Sequence, residues 1–224
     1  MNLTEKLLPV ALLGAEWVLW LLVGLSIISV AIMIERFVYF RSTGIDFERV
    51  RGELKSMLAL GDIDRAKRTV APLAGIEGQV VAAGLTEYAR GSTAIEKAMG
   101  SAKARMKLQL EKNLAFLGTL GNNAPFIGLF GTVIGVIRAF HDLASKKGQG
   151  PEAVMGSLSE ALIATAVGLL VALPAVVAFN TFNRMVRTRM SSTDSLAQLL
   201  LSEVRETPEA LGMTRPVASS EAKK

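Results

Sequence analysis

Two apolar stretches of this chain carry oxygen where a lipid-facing helix needs only carbon. Thr132 lies in Ala-Pro-Phe-Ile-Gly-Leu-Phe-Gly-Thr-Val-Ile-Gly, residues 124–135, and Thr165 lies in Ser-Glu-Ala-Leu-Ile-Ala-Thr-Ala-Val-Gly-Leu, residues 159–169. Glu160 abuts the second run directly. A hydroxyl can hand a hydrogen bond to a carboxylate and then to water, yet it does not titrate near neutrality. A proton carrier must therefore be a carboxylic acid. A charged carboxylate deep in a bilayer costs roughly 2.5–3.5 kcal/mol on insertion scales, so such groups face a cavity or a partner. Thr132, Thr165 and Glu160 are the candidate site residues, polar groups in or beside apolar runs. No aspartate lies within the three long apolar runs, so a second, titrating acid is best supplied by another chain. Each residue also has a plainer reading. A threonine can bond its own helix carbonyl one turn back, and Glu160 can be an interfacial residue favoured by the helix dipole.

The elements that carry these groups follow from where the charges are. Half of the 224 residues are hydrophobic and a fifth are charged, so the charges must be segregated. Glu16 and Glu35 enclose eighteen uncharged residues, and 113–137 and 161–183 hold no charge at all. Runs of about 18–25 apolar residues match a bilayer core of roughly 30 Å. The expected fold is an all-α membrane protein with three transmembrane helices, the second and third extended into the cytoplasm, and a helical cytoplasmic domain. Its expected parts are an interfacial helix over 1–15 and spans over 16–40, 113–140 and 160–183. A cytoplasmic domain fills 41–112, an outer hairpin 141–159, a cytoplasmic helix 184–206 and a disordered tail 207–224. The first run ends in Glu35-Arg36 without a small-residue cleavage site, which predicts an anchor, not a signal peptide.

Orientation comes from the basic residues. Thirteen Lys and Arg lie between Arg41 and Lys112 and seven after Asn183, against Lys6 alone before the first span. The positive-inside rule then puts the N-terminus outside and the large loop and C-terminus in the cytoplasm. Trp17 and Trp20 suit an outer aromatic belt. Arg138 is expected to snorkel to the outer interface, with His141 in an exposed loop.

Apolar residues of the cytoplasmic segment recur at three and four, which predicts several short helices with Asp46 and Asp62 as N-caps. Thr93-x-x-Glu96 reads as a capping box that opens a helix running directly into the second span. Small residues trace the packing faces of the spans. Gly121, Pro125, Gly128, Thr132, Gly135 and Ala139 form a seam on the second, with Gly131 and Gly135 as a Gly-x-x-x-Gly pair. Ala161, Thr165, Gly168, Ala172 and Ala175 repeat the spacing on the third. Without a hydrophobic force between helices in lipid, close packing of this kind drives association. Three spans enclose little, so a homo-oligomer in membrane lipid is expected, the second and third spans lining its centre. Asn122 and Asn123 can hold helices together, and Pro174 is expected to kink its helix.

Other function classes lose ground on the same residues. There is no cysteine and one histidine, so neither a disulfide framework nor a zinc site is supported, and no cofactor is expected. Neither a P-loop nor a nucleophile elbow occurs, which argues against an enzyme. The basic residues are interleaved with acids and few aromatics, which argues against nucleic acid. No duplicated half suggests a solitary solute transporter. A non-conducting membrane scaffold stays open as the alternative to an ion-driven motor.

The two quoted runs, with the three-span layout and the large cytoplasmic loop, resemble the MotA/TolQ/ExbB family of proton-channel subunits. The resemblance implies an inner-membrane ring, a pentamer, around a single-span ExbD/TolR/MotB-like partner whose membrane aspartate is alternately protonated and ionised. It implies that Thr132 and Thr165 face that aspartate and that Glu160 lies on the central pathway. The ion is H⁺, with Na⁺ left open. Where ExbB and TolQ typically carry tryptophan after the Thr-Val pair, this chain has Ile134. That departure leaves TonB-type transport, Tol-type envelope work and surface gliding motility all open.

Overall fold

The computed structural model describes residues 14–145 and 152–206, all of its regular structure helical. The interfacial helix expected over 1–15, but for its last two residues, and the tail expected over 207–224 lie outside the described residues. Among the described residues seven α-helices follow in order: α1 (Glu16–Ser42), α2 (Phe47–Ala59), α3 (Ile63–Val70), α4 (Ile76–Thr86), α5 (Ser92–Glu111), α6 (Leu114–Ser145) and α7 (Glu152–Glu206). A 3₁₀ turn at Tyr88–Arg90 precedes α5. Three stretches, containing α1, α6 and α7, are long and apolar enough to cross a membrane.

The chain divides into two compact units, Met1–Val38 with Lys112–Asn183, and Tyr39–Glu111 with Arg184–Lys224. In the first, α1, α6 and α7 meet through Val18, Leu22, Leu120, Ala124, Ile134 and Val171. Their outward faces stay apolar: Trp20, Ile27, Phe126, Leu170 and Leu173 are all exposed. A soluble helix would put charge on that face. Here the exposed carbon suits lipid or another apolar chain.

The second unit is built as a water-soluble core. Asp46 caps α2 by accepting from the Arg49 amide at 3.2 Å, and Asp62 caps α3 by accepting from the Arg65 amide at 3.0 Å. Leu54, Leu85, Ile95, Leu196 and Leu200 are fully buried. Each such side chain contributes about 1.5–3 kcal/mol by leaving water. Gly84 lets α4, α5 and α7 close together, since a Cβ there would lie 2.8 Å from Met99 Cγ and 3.0 Å from Leu200 Cδ2. Lys103 and Asp194 form an ion pair between α5 and α7.

Several local expectations change. The capping box does not open α5, because the helix begins at Ser92 and the Gly91 carbonyl already accepts from the amides of Ala94 and Ile95. Nor does α5 run unbroken into the second span. It ends at Glu111, and Asn113 takes a left-handed φ of 61° before α6 begins at Leu114. Asparagine tolerates that conformation better than most residues. His141 lies inside α6, not in a loop.

Candidate functional site

The membrane unit positions its polar groups through the antiparallel contact of α6 and α7. That contact is backbone on backbone. A Cβ on Gly128 would lie 2.7 Å from the Ala164 carbonyl oxygen and 3.0 Å from Thr165 Cα, and one on Gly168 would lie 2.7 Å from the Ala124 carbonyl oxygen. Gly121 faces Val176, Gly131 faces Ala164, and Gly135 faces Ala161 and the Ser157 carbonyl. Ala172 is buried in the same core. Any side chain at these glycines would push the helices apart. Gly118, absent from the sequence-based seam, has the same role against the Phe179 ring.

The buried stripe of α6 is Leu117, Gly121, Ala124, Gly128, Gly131, Gly135 and Ala139. Pro125 and Thr132, placed on the seam by spacing alone, are only half-buried. At about 100° per residue they sit on one flank of the stripe. Thr165 is half-buried on the matching flank of α7, where Ala161, Ala164 and Gly168 form the stripe. The two threonines lie within about one helical turn of each other along the axis, because Gly128 faces Thr165 while Gly131 faces Ala164. Helix α1 covers the opposite flank, its Val18 Cγ1 being 3.4 Å from the Cβ position of Gly131.

The threonines differ in their bonding. Thr132 Oγ1 donates to the Leu129 carbonyl at 2.6 Å, the plainer reading for a membrane threonine. Thr181 does the same with Val177 at 2.8 Å. Thr165 does not: its Oγ1 is enclosed and has no hydrogen-bond partner. A buried hydroxyl without a partner costs about 1–3 kcal/mol. Of the two, Thr165 is the threonine whose hydroxyl is not bonded to its own helix.

Glu160 sits at the other flank. Its Oε2 is 3.8 Å from the Arg138 guanidinium, while its Oε1 is buried without a hydrogen-bond partner. Both side chains are partly covered, Arg138 at 34% and Glu160 at 22% exposure. Arg138 was missed as a site residue, although it and Glu160 are the charges that bound the second and third apolar runs at the same end. Farther along that end, Ser157 Oγ donates to Asp142 at 3.2 Å. The structure thus groups Thr132 with Thr165 on one flank, and Glu160 with Arg138 on the flank beside α1.

Two more buried polar groups escaped sequence reading in α1. Ser29 is 2% exposed with its Oγ unpartnered, and Arg36 is 3% exposed. Arg36 Nε donates to Glu35 at 3.2 Å, and Asn113 Nδ2 donates to Glu35 at 3.3 Å. Only the i, i+7 recurrence of Leu22, Ser29 and Arg36 hinted that they share a face.

Comparison with known proteins bears on these same helices. Residues 73–195, more than half of the chain, match the model of the MotA/TolQ/ExbB proton channel family. The Tol-Pal system protein TolQ of Pseudomonas aeruginosa is 38% identical over 123 residues, 50% of this chain and 53% of its own length. The biopolymer transport protein ExbB of Xanthomonas campestris is 37% identical over 114 residues, 51% and 45% of the two chains. The chain thus spans about half the length of those two relatives. It covers 81% of the biopolymer transport protein ExbB of Salmonella typhimurium, with 30% identity over 203 residues and 83% of this chain aligned. The family match takes in α4, α5, α6 and most of α7, and the chain belongs to the MotA/TolQ/ExbB proton channel family.

Proposed function

We propose that this chain is the ring-forming subunit of a proton-driven motor in the bacterial inner membrane. The observation that carries the reading is the enclosed, unpartnered Thr165 hydroxyl on the same flank as Thr132. A group from another chain that reaches this flank gains a hydrogen bond the monomer leaves unmade. A carboxylic acid on a single-span ExbD/TolR/MotB-like partner fits, since it accepts from a hydroxyl when ionised and donates when protonated. Copies of the chain, five by family resemblance, enclose the partner helices with α6 and α7 inward and α1 outside. The N-terminus faces out and the C-terminus faces the cytoplasm.

The energy is that of the ion gradient. A proton moving inward yields about 2.3 kcal/mol per 100 mV of membrane potential. Each unit of pH difference adds about 1.4 kcal/mol, the energy equivalent of one pKa unit. Neutralising the partner's acid removes the charge that holds it at the hydroxyl, and the partner helix moves relative to the ring. The work done at the envelope is TonB-type or Tol-type transduction or surface gliding.

Native mass spectrometry of the membrane complex, co-expressed with the single-span protein encoded beside it, tests the assembly. A ring enclosing partner helices that carry an aspartate is the expected result. A homo-oligomer that retains no such partner would leave the scaffold reading in its place. Proton against Na⁺ is decided by flux from liposomes loaded with each gradient in turn.

A further inference from the structure

The guanidinium of Arg138 has a seat made for it. Gly14 lies two residues before α1, is buried, and takes a φ of +82°, which L side chains rarely adopt. A Cβ placed on Gly14 would overlap the Arg138 guanidinium. Glycine is favoured there by its backbone angle, and a side chain in its place would have to displace the Arg138 guanidinium. The seated guanidinium then reaches Glu160 Oε2 at 3.8 Å. That distance is an ion pair but exceeds a hydrogen bond. Glu160 Oε1 has no hydrogen-bond partner at all. The carboxylate is held by charge, from one side, and is not locked by the bidentate fork arginine can form.

Among the described residues, two other charges near this end are engaged elsewhere or exposed. Asp142, one turn beyond Arg138 on α6, accepts from Ser157, and Glu16 in the first turn of α1 is exposed. A carboxylate beside the flank that α1 covers is away from Thr132 and Thr165 until the pair opens.

We propose that Arg138, seated beside Gly14, is a positioning residue that holds Glu160 on its own flank and off the threonine flank until an incoming cation competes for it. The inference rests on the motor reading for its purpose, but its geometry stands without it. Ion entry and the packing of the start of α1 are then coupled, because the cation that frees Glu160 also frees the group resting on Gly14.

Dicyclohexylcarbodiimide, which enters membranes and reacts with protonated carboxylic acids, tests the clamp when applied to the purified membrane oligomer at neutral pH. Peptide mass spectrometry reads the label on Glu160. Removing the guanidinium that holds and covers Glu160 opens its carboxyl to the reagent, so Arg138→Gln should label about fivefold faster or more. Arg138→Lys should stay near the unaltered protein. Gly14→Ala keeps the charge but displaces it, and should label faster as well. Equal labelling of Glu160 in the unaltered protein and in either displaced variant that retains its oligomer overturns the clamp, whatever the ion flux. A labelling difference in a complex that passes no ion supports the clamp and overturns the motor reading.

Discussion

The two units solve the packing of helices in opposite ways. Between α6 and α7 the contact is made by glycines, and carbonyl oxygens approach where side chains would otherwise stand. In the second unit the contact is made by Leu54, Leu85, Ile95, Leu196 and Leu200, with capped helix ends and ion pairs outside. Water drives the second arrangement, because large side chains gain most by leaving it. Lipid offers no such gain, so the membrane unit relies on close approach and on polar groups with few alternatives. Among the described residues the unsatisfied oxygens follow the same division: three of the four, on Ser29, Glu160 and Thr165, lie in the membrane unit.

The comparison breaks most visibly at Gly128. Gly128→Leu places a side chain against the Ala164 carbonyl, and overpacking of about 1–3 kcal/mol or more should separate α6 from α7. The expected outcome is loss of the oligomer on size-exclusion chromatography in detergent. Its counterpart, Leu85→Ala, removes volume and should destabilise the second unit by about 2–5 kcal/mol. A lower unfolding midpoint with the oligomer intact before melting is expected. If Gly128→Leu assembles normally, the glycine contact does not hold the membrane unit.

Thr165→Val is expected to act on flux and not on stability. Losing a hydrogen bond to an ionised partner is worth about 1.5–3 kcal/mol, which slows a step by about one to two orders of magnitude. Because the hydroxyl has no partner within the chain, the valine protein should melt at or slightly above the unaltered temperature. A large drop in melting temperature would mean that Thr165 is bonded within the fold. Full flux in liposomes would remove it from the pathway.

The smallest effect is expected in the second unit. Glu77 is buried at 2% exposure, and desolvation pushes its carboxyl above the usual glutamate range. Arg189, 3.6 Å away, opposes that only in part. Its guanidinium is also engaged with the carbonyls of Phe40, at 3.0 Å, and Thr43. A carboxyl with a raised folded-state pKa binds its proton more tightly folded than unfolded. Its contribution to stability is therefore full below the unfolded pKa and is lost as pH rises through the folded one. Glu77→Gln should flatten that decline in a series of melting curves. An unchanged slope would place Glu77 in an ordinary solvated state.

Much of the fold was legible because the bilayer leaves few solutions. Three uncharged runs of spanning length dictate three helices, and Asp46 and Asp62 announced their caps by residue type. The glycine seam was legible in part. Its spacing named Gly121, Gly128 and Gly135, but spacing alone could not separate residues at the centre of a contact from those on its flank. Pro125 and Thr132 therefore fell among the buried glycines on paper and beside them in space. The start of α5 was misread because Gly91, two residues before the Thr93 hydroxyl, already supplies the carbonyl that opens the helix.

The sequence by itself determined that polar groups lie within apolar runs, and that those runs must pack through small residues, because composition and period suffice for both. Only the tertiary structure decided which hydroxyl is free and which acid is paired. Thr132 and Thr165 are the same residue in similar settings, yet one turns to its own helix and the other does not. Arg138 and Glu160 are twenty-two positions apart, and nothing local says that they meet. A rotamer and a cross-helix distance depend on how α1, α6 and α7 are rotated about their axes. That rotation is set by the glycines of one helix fitting the backbone of the next.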